Sequence, residues 1–162
     1  MLISVWRHGE AAPGSPDRDR TLTARGEAEV ERGARGFVLQ LQRRNLPLPG
    51  RILFSRWRRT TQTAERILEC CAGAEAETLD ALIPERDATQ VDDAVSRFED
   101  RDSHLVLVSH QPLVTALIDR WLGTSGEVPP LVPGAYAVLS VPVVASGCAA
   151  SAWWAAPPDY RV

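Results

Sequence analysis

Three short stretches of this chain gather side chains suited to chemistry on an anion: Arg7-His8-Gly9-Glu10, the run from Ser55 to Arg59, and Ser109-His110. An imidazole can act near neutral pH as nucleophile, as general acid or base, or as a metal ligand. Arginine presents a planar, permanently charged fork that fits carboxylate and phosphate oxygens. Histidines set among arginines therefore favour an anionic substrate. The same arginines would repel a metal ion, and His104, the third histidine, has no ligand partner at useful spacing, so no metal site is expected. All eighteen basic residues are arginine, which excludes Schiff-base catalysis and a P-loop lysine.

The predicted elements bring these stretches together. Residues 2–6 (LISVW) read as a buried strand that delivers Arg7 and His8 at its C-terminal end, followed by a polar loop to Arg20. Thr23 is an N-cap for a helix whose apolar positions Val30, Ala34, Phe37, Val38 and Leu41 recur at helical spacing to near Asn45. A second strand covers 51–55, and a second helix runs from Thr61 to Cys71. A short strand is expected at Glu75–Leu79, a loop at Asp80–Ala88, and a helix from Thr89 to Arg101. Residues 104–109 (HLVLVS) form the clearest buried strand, followed by His110 and a helix with Pro112 in its first turn. Two further strands, 136–141 and 148–155, end the chain. Alternating strands and helices imply an α/β three-layer sandwich, a mainly parallel central sheet with helices on both faces. Ligands of such sheets bind beyond the carboxyl ends of the strands, where all three stretches lie.

Composition sets outer limits. At 162 residues, 44% hydrophobic and 24% charged, the chain is expected to form one globular domain over 1–162. A net charge of −3 argues against a nucleic acid partner. The apolar stretch from Met1 to Trp6 is too short for a signal peptide or membrane span, so a cytoplasmic location is expected. Cys70 and Cys71 fall in a helix and Cys148 in a strand, which reads as buried, unpaired thiols.

Four segments then line up in order. Arg7-His8-Gly9 follows the first strand; Leu22, Thr23 and Gly26 open the first helix; Ser55, Arg59, Gln62, Thr63 and Ala64 follow the second strand; Ser109, His110 and Pro112 follow the late one. Together they resemble the histidine phosphatase superfamily, the phosphoglycerate mutase-like group, whose patterns are RHG, LTxxG, SPxxRxxQTA and (S/G)HxP. The short chain and Ala11 after Glu10 resemble its small phosphohistidine phosphatase branch. The resemblance implies a phosphoglycerate mutase-like fold, no cofactor, His8 as the phosphorylated nucleophile, and Arg7, Arg59 and His110 as the phosphate pocket. Arg7 and Arg59 should lower the pKa of His8 by charge repulsion. Gly9 would let the backbone approach the phosphate, and Ser109 would join the substrate contacts. Arg20 reads either as a further phosphate contact or as a solvated loop charge.

The departures carry information too. Arg56 stands where the family has proline, and Arg56 and Arg58 read as rim charges. The general acid of many relatives, a glutamate, is replaced by Ala81 or Leu82, with Glu85 and Asp87 as late substitutes. Glu10 is expected to pair with Arg7. A poor alkoxide leaving group needs a proton, whereas imidazole leaves more easily. The expected substrate is therefore phosphohistidine on a signalling protein, such as a histidine-containing phosphotransfer domain. The alternatives are a small phosphomonoester or a non-catalytic phosphate-binding module.

Overall fold

The computed structural model describes residues 1–99 and 102–162. Its centre is a six-stranded sheet. Strands β1 (Leu2–Arg7) and β4 (His104–Ser109) pair in parallel at its middle, flanked by β2 (Arg51–Phe54) and then β3 (Glu75–Thr78) on one side. On the other side β5 (Tyr136–Ser140) runs antiparallel to β1, and β6 (Ala150–Ala155) antiparallel to β5. The strand order β3-β2-β4-β1-β5-β6 makes the sheet mainly parallel. Both central strands are covered on both faces, which is why they read as nearly continuous apolar runs, broken in β1 only by the buried Ser4.

Side chains alternate across β1. Ile3 and Val5 face one layer, where α3 (Ala88–Val95) and α4 (Leu113–Leu122) contribute Val91, Val95, Leu117 and Trp121. Leu2 and Trp6 face the other, where α1 (Ala24–Arg43) and α2 (Arg58–Cys70) contribute Val30, Phe37, Leu41 and Ile67. Trp6 stacks on Tyr136 at 4.5 Å and meets the edge of Phe37 at 5.7 Å. Each such buried side chain adds about 1.5–3 kcal/mol of apolar burial, and the two layers clamp β1 and β4 so that His8 and His110 leave the sheet side by side. Among the described residues no helix is long and apolar enough to cross a membrane.

Three element boundaries differ from expectation. Helix α2 starts at Arg58, three residues early: the Thr60 and Thr61 N–H groups already bond the Trp57 carbonyl, which also accepts from their hydroxyls, and no side chain caps the end. Arg59 therefore sits on a helical turn. Helix α3 closes at Val95 and tightens into a 3₁₀ turn over Ser96–Phe98; the expected end at Arg101 lies outside the described residues. Strand β6 begins at Ala150, its register shift opposite Val138/Leu139 lying within the strand, so Cys148 precedes it and is exposed rather than buried, and Cys70 is only half-buried.

The first turn of α1 packs straight onto backbone. Thr23 caps it by accepting from the Gly26 N–H at 2.9 Å, and a Cβ on Gly26 would lie 2.3 Å from the Glu10 carbonyl oxygen. Gly26→Ala is expected to lower stability by about 1–3 kcal/mol through overpacking. A thermal melt that did not move would refute this close approach.

Candidate active site

His8 follows β1 directly, its N–H donating to the Ser109 carbonyl at 3.1 Å and its own carbonyl accepting from Gly134 at 2.9 Å. Gly134 has φ +81, left-handed backbone that glycine adopts without strain. The imidazole is 8% exposed. Its Nδ1 lies 2.7 Å from the Gly9 carbonyl oxygen; a carbonyl can only accept, so Nδ1 carries the proton and Nε2 keeps its lone pair. Arg59 Nε–H donates to that lone pair at 3.1 Å.

The neighbours of His8 crowd around a cavity of about 350 Å³ whose wall includes Arg7, His8, Asp17, Arg20, Arg59 and His110. The Arg7 guanidinium is steered by the Leu131 carbonyl, which accepts from Nη1 at 2.9 Å, and its buried Nε has no partner among the described residues. His110 leaves β4 with its ring 5.1 Å from that of His8. Its Nε2 lies 3.0 Å from Ser55 Oγ, and its buried Nδ1 has no partner among the described residues. Arg20 is anchored by the Ala12 carbonyl and its Nη1 donates to Asp17 at 2.8 Å, so it reaches the cavity wall rather than trailing in solvent.

Burial is the largest influence on these imidazoles. It pushes His8 down to about 4, with Arg59 and then Arg7 adding repulsion against the opposing hydrogen bond to Gly9. The expected charge repulsion is thus present but second to desolvation. Burial, then His8 and Arg59, pushes His110 down to about 2. His104, buried at the other end of β4, is down to about 4 by burial; its Nδ1 donates to the Pro47 carbonyl at 2.7 Å, and its Nε2 meets Ser4 Oγ at 2.8 Å. It holds structure rather than a ligand.

A pH dependence of stability follows. In an unfolded chain these imidazoles titrate near 6.5, so on acidification the unfolded state takes up protons that the native state refuses. The stabilisation is complete above about pH 6.5 and is lost as pH falls toward the folded values, with a slope approaching roughly 1.4 kcal/mol per pH unit per histidine. Melting temperature is expected to fall steadily from pH 7 to pH 5; a rise over that range would contradict neutral, buried imidazoles.

Other expected site residues have different duties. Gly9 N–H donates to Thr63 Oγ1 at 3.0 Å, and its missing Cβ makes room for Val30, at 2.8 Å, rather than for a ligand. Ser109 Oγ donates to the Leu82 carbonyl at 2.7 Å, which commits the hydroxyl proton to the fold. Glu10 accepts from Thr23 at 2.8 Å and pairs with Arg25, not with Arg7. Asp87 caps α3 in a reciprocal capping box with Gln90, and Glu85 lines a neighbouring groove outside the His8 cavity. Neither is placed as an acid at His8. Arg56 and Arg58 are exposed.

Sequence reasoning missed two residues. Asp17 holds Arg59 twice, accepting at its carbonyl from Nη1 at 2.7 Å and at its carboxylate from Nη2 at 3.2 Å. Its signal was lost among alternating charges, Asp17 to Arg20, in a loop. Trp57 lies 4.7 Å from the Arg59 guanidinium and edge-on to His110 at 5.0 Å; its only sequence signal was its position between Ser55 and Arg59. Among the described residues no group of three or more His, Cys, Asp or Glu is placed to hold a metal ion.

No protein-family model and no curated protein matches the chain. Solved structures do. The protein histidine phosphatase SixA, in a complex with tungstate, matches with a TM-score of 0.81 at 27% identity over 97% of each chain. Over nearly its whole length the chain has the fold of the histidine phosphatase superfamily. The chain also shares its fold with a protein assigned as phosphohistidine phosphatase SixA from Agrobacterium tumefaciens (TM-score 0.77, 23% identity, 96% of this chain and 97% of that one). A mycobacterial glucosyl-3-phosphoglycerate phosphatase shares it at a TM-score of 0.70 and 17% identity, over 96% and 98%. These structural neighbours are hydrolases of that superfamily.

Proposed function

We propose that this chain hydrolyses a phosphorylated substrate through a phosphoryl group carried on His8 Nε2, and that the substrate is phosphohistidine on a protein. The single observation that carries the reading is the Nδ1–H···O=C bond from His8 to Gly9 at 2.7 Å, which aims an unprotonated Nε2 at a cavity walled by arginines. In the first step the Nε2–P bond forms as the substrate's P–N bond breaks in line, and the departing imidazole takes a proton from solvent. In the second, water attacks phosphorus, His8 leaves, and inorganic phosphate is released. Arg7, Arg59 and Arg20 meet the charge spread over the phosphoryl oxygens, where preorganised cations act most strongly. With Ser55 donating to His110 Nε2, the unpartnered Nδ1–H is free to donate to a phosphoryl oxygen.

The leaving group follows from the carboxylates. Of the acids on the cavity wall, Glu10 is tied to Arg25 and Thr23, and Asp17 is held below the usual carboxylate range first by its hydrogen bond from Arg20 and then by Arg59. An ionised carboxylate has no proton to give an alkoxide. Phosphorus on nitrogen needs none. A relative complexed with tungstate, a tetrahedral oxyanion, supports an oxyanion pocket.

The test is a rate comparison in the presence of a chelator among a histidine-phosphorylated phosphotransfer domain, free phosphohistidine and common sugar phosphates. The phosphoprotein is expected to give the highest kcat/KM. A sugar phosphate that outpaced it would overturn the choice of substrate.

A further inference from the structure

A second cavity of about 720 Å³ adjoins the His8 cavity and shares Asp17 with it. Its wall holds Arg18, Arg56, Trp57, Arg58, Ile83 and Arg86, none of which the proposed chemistry uses. Trp57 is the hinge between the two spaces, since the ring that faces this groove also touches Arg59 and His110. A chain that carries a phosphoryl group to His8 can extend into it past Asp17.

Its charges are unevenly spent. Arg18 pairs with Asp19 and Arg56 with Asp80, and Asp17 is turned to Arg20 and Arg59. Arg58 and Arg86, both exposed, have no carboxylate in ion-pair range among the described residues, and Glu85 is the remaining acid on the wall. Across the two cavities seven arginines face four carboxylates, in a chain whose net charge is −3. A local positive field in an acidic protein selects negative partners and speeds their encounter. The groove has about twice the volume of the His8 cavity, with Trp57 and Ile83 supplying apolar contact between the arginines, which suits a polypeptide segment better than a small metabolite.

We infer that this groove docks the polypeptide flanking the phosphorylated side chain and selects flanks rich in Asp and Glu, with Arg58 and Arg86 as the recognising charges. The inference deepens the proposed function and rests on it for the direction in which the substrate enters. Two exposed ion pairs are worth roughly a five- to tenfold preference at low salt, shrinking as salt rises.

The experiment uses two fluorescein-labelled peptides of equal length centred on one histidine, one with Asp/Glu flanks and one with Ser/Gln flanks. Binding of the unphosphorylated peptides is read by anisotropy, and turnover after chemical phosphorylation of the histidine. The acidic peptide is expected to bind about five- to tenfold more tightly, and the R58E/R86E double variant to lose that preference while hydrolysing an aryl phosphate at the wild-type rate. Glutamate at the first position of α2 also suits the helix dipole, so the variant should fold. Equal binding of the two peptides, a preference that survives charge reversal, or an equal fall in aryl phosphate hydrolysis would each overturn the inference. If the acidic peptide binds through Arg58 and Arg86 but neither phosphopeptide is hydrolysed, the docking surface stands and the proposed reaction fails.

Discussion

His8→Ala is expected to lower hydrolysis of an activated aryl phosphate by on the order of 10⁴-fold or more, since loss of a nucleophile leaves only binding and charge stabilisation. The variant should fold as the native chain does. The backbone bonds of His8 to Ser109 and Gly134 do not involve its side chain, and the ring's own partners are one carbonyl and Arg59 Nε. Rapid quenching of the wild-type enzyme during turnover should trap a base-stable, acid-labile phosphoryl group, absent from His8→Ala. Wild-type turnover with no such species, or a variant retaining a tenth of the activity, would remove His8 from its role. Because burial pushes the His8 pKa down to about 4, the acid limb of the wild-type rate profile, read where the chain stays folded, should lie near that value.

How much of this was legible in the sequence depends on which force decided each feature. The nearly continuous apolar runs of β1 and β4 and the helical spacing of α1 record burial on both faces or on one, so the three layers and the placement of Arg7, His8 and His110 at one sheet edge could be read directly. Hydrogen-bond commitments could not. Ser109 and Gly9 sit in motif positions that suggest ligand contact, yet one holds Leu82 and the other makes room for Val30. Asp87 is a carboxylate at the right distance along the chain, spent on a helix cap. Asp17 reaches Arg59 across 42 residues of sequence, and nothing local distinguishes it from Asp19. Polar side chains have many partners to choose from, and only the folded geometry selects among them.

That selection is sharpest at Arg59, where truncation should have the next largest effect. Arg59→Ala is expected to cut kcat by about 10²–10³-fold, the usual loss for a preorganised donor at a developing oxyanion. Its side chain is 6% exposed, its Nε faces His8, its terminal nitrogens face Asp17 and its plane lies against Trp57. Those terminal nitrogens are held by an oxygen-rich neighbour in the resting site and are the ones a phosphoryl group would claim. Arg59→Lys should restore little, because an ammonium has neither the fork nor the flat face. The substitution also removes a positive charge that lowers the His8 pKa, so the acid limb of the rate profile should move to higher pH. A merely structural role would leave that limb in place. In the H8A/R59A pair the two losses should not multiply, because a cation poised for a phosphoryl group on His8 contributes nothing once His8 cannot take one.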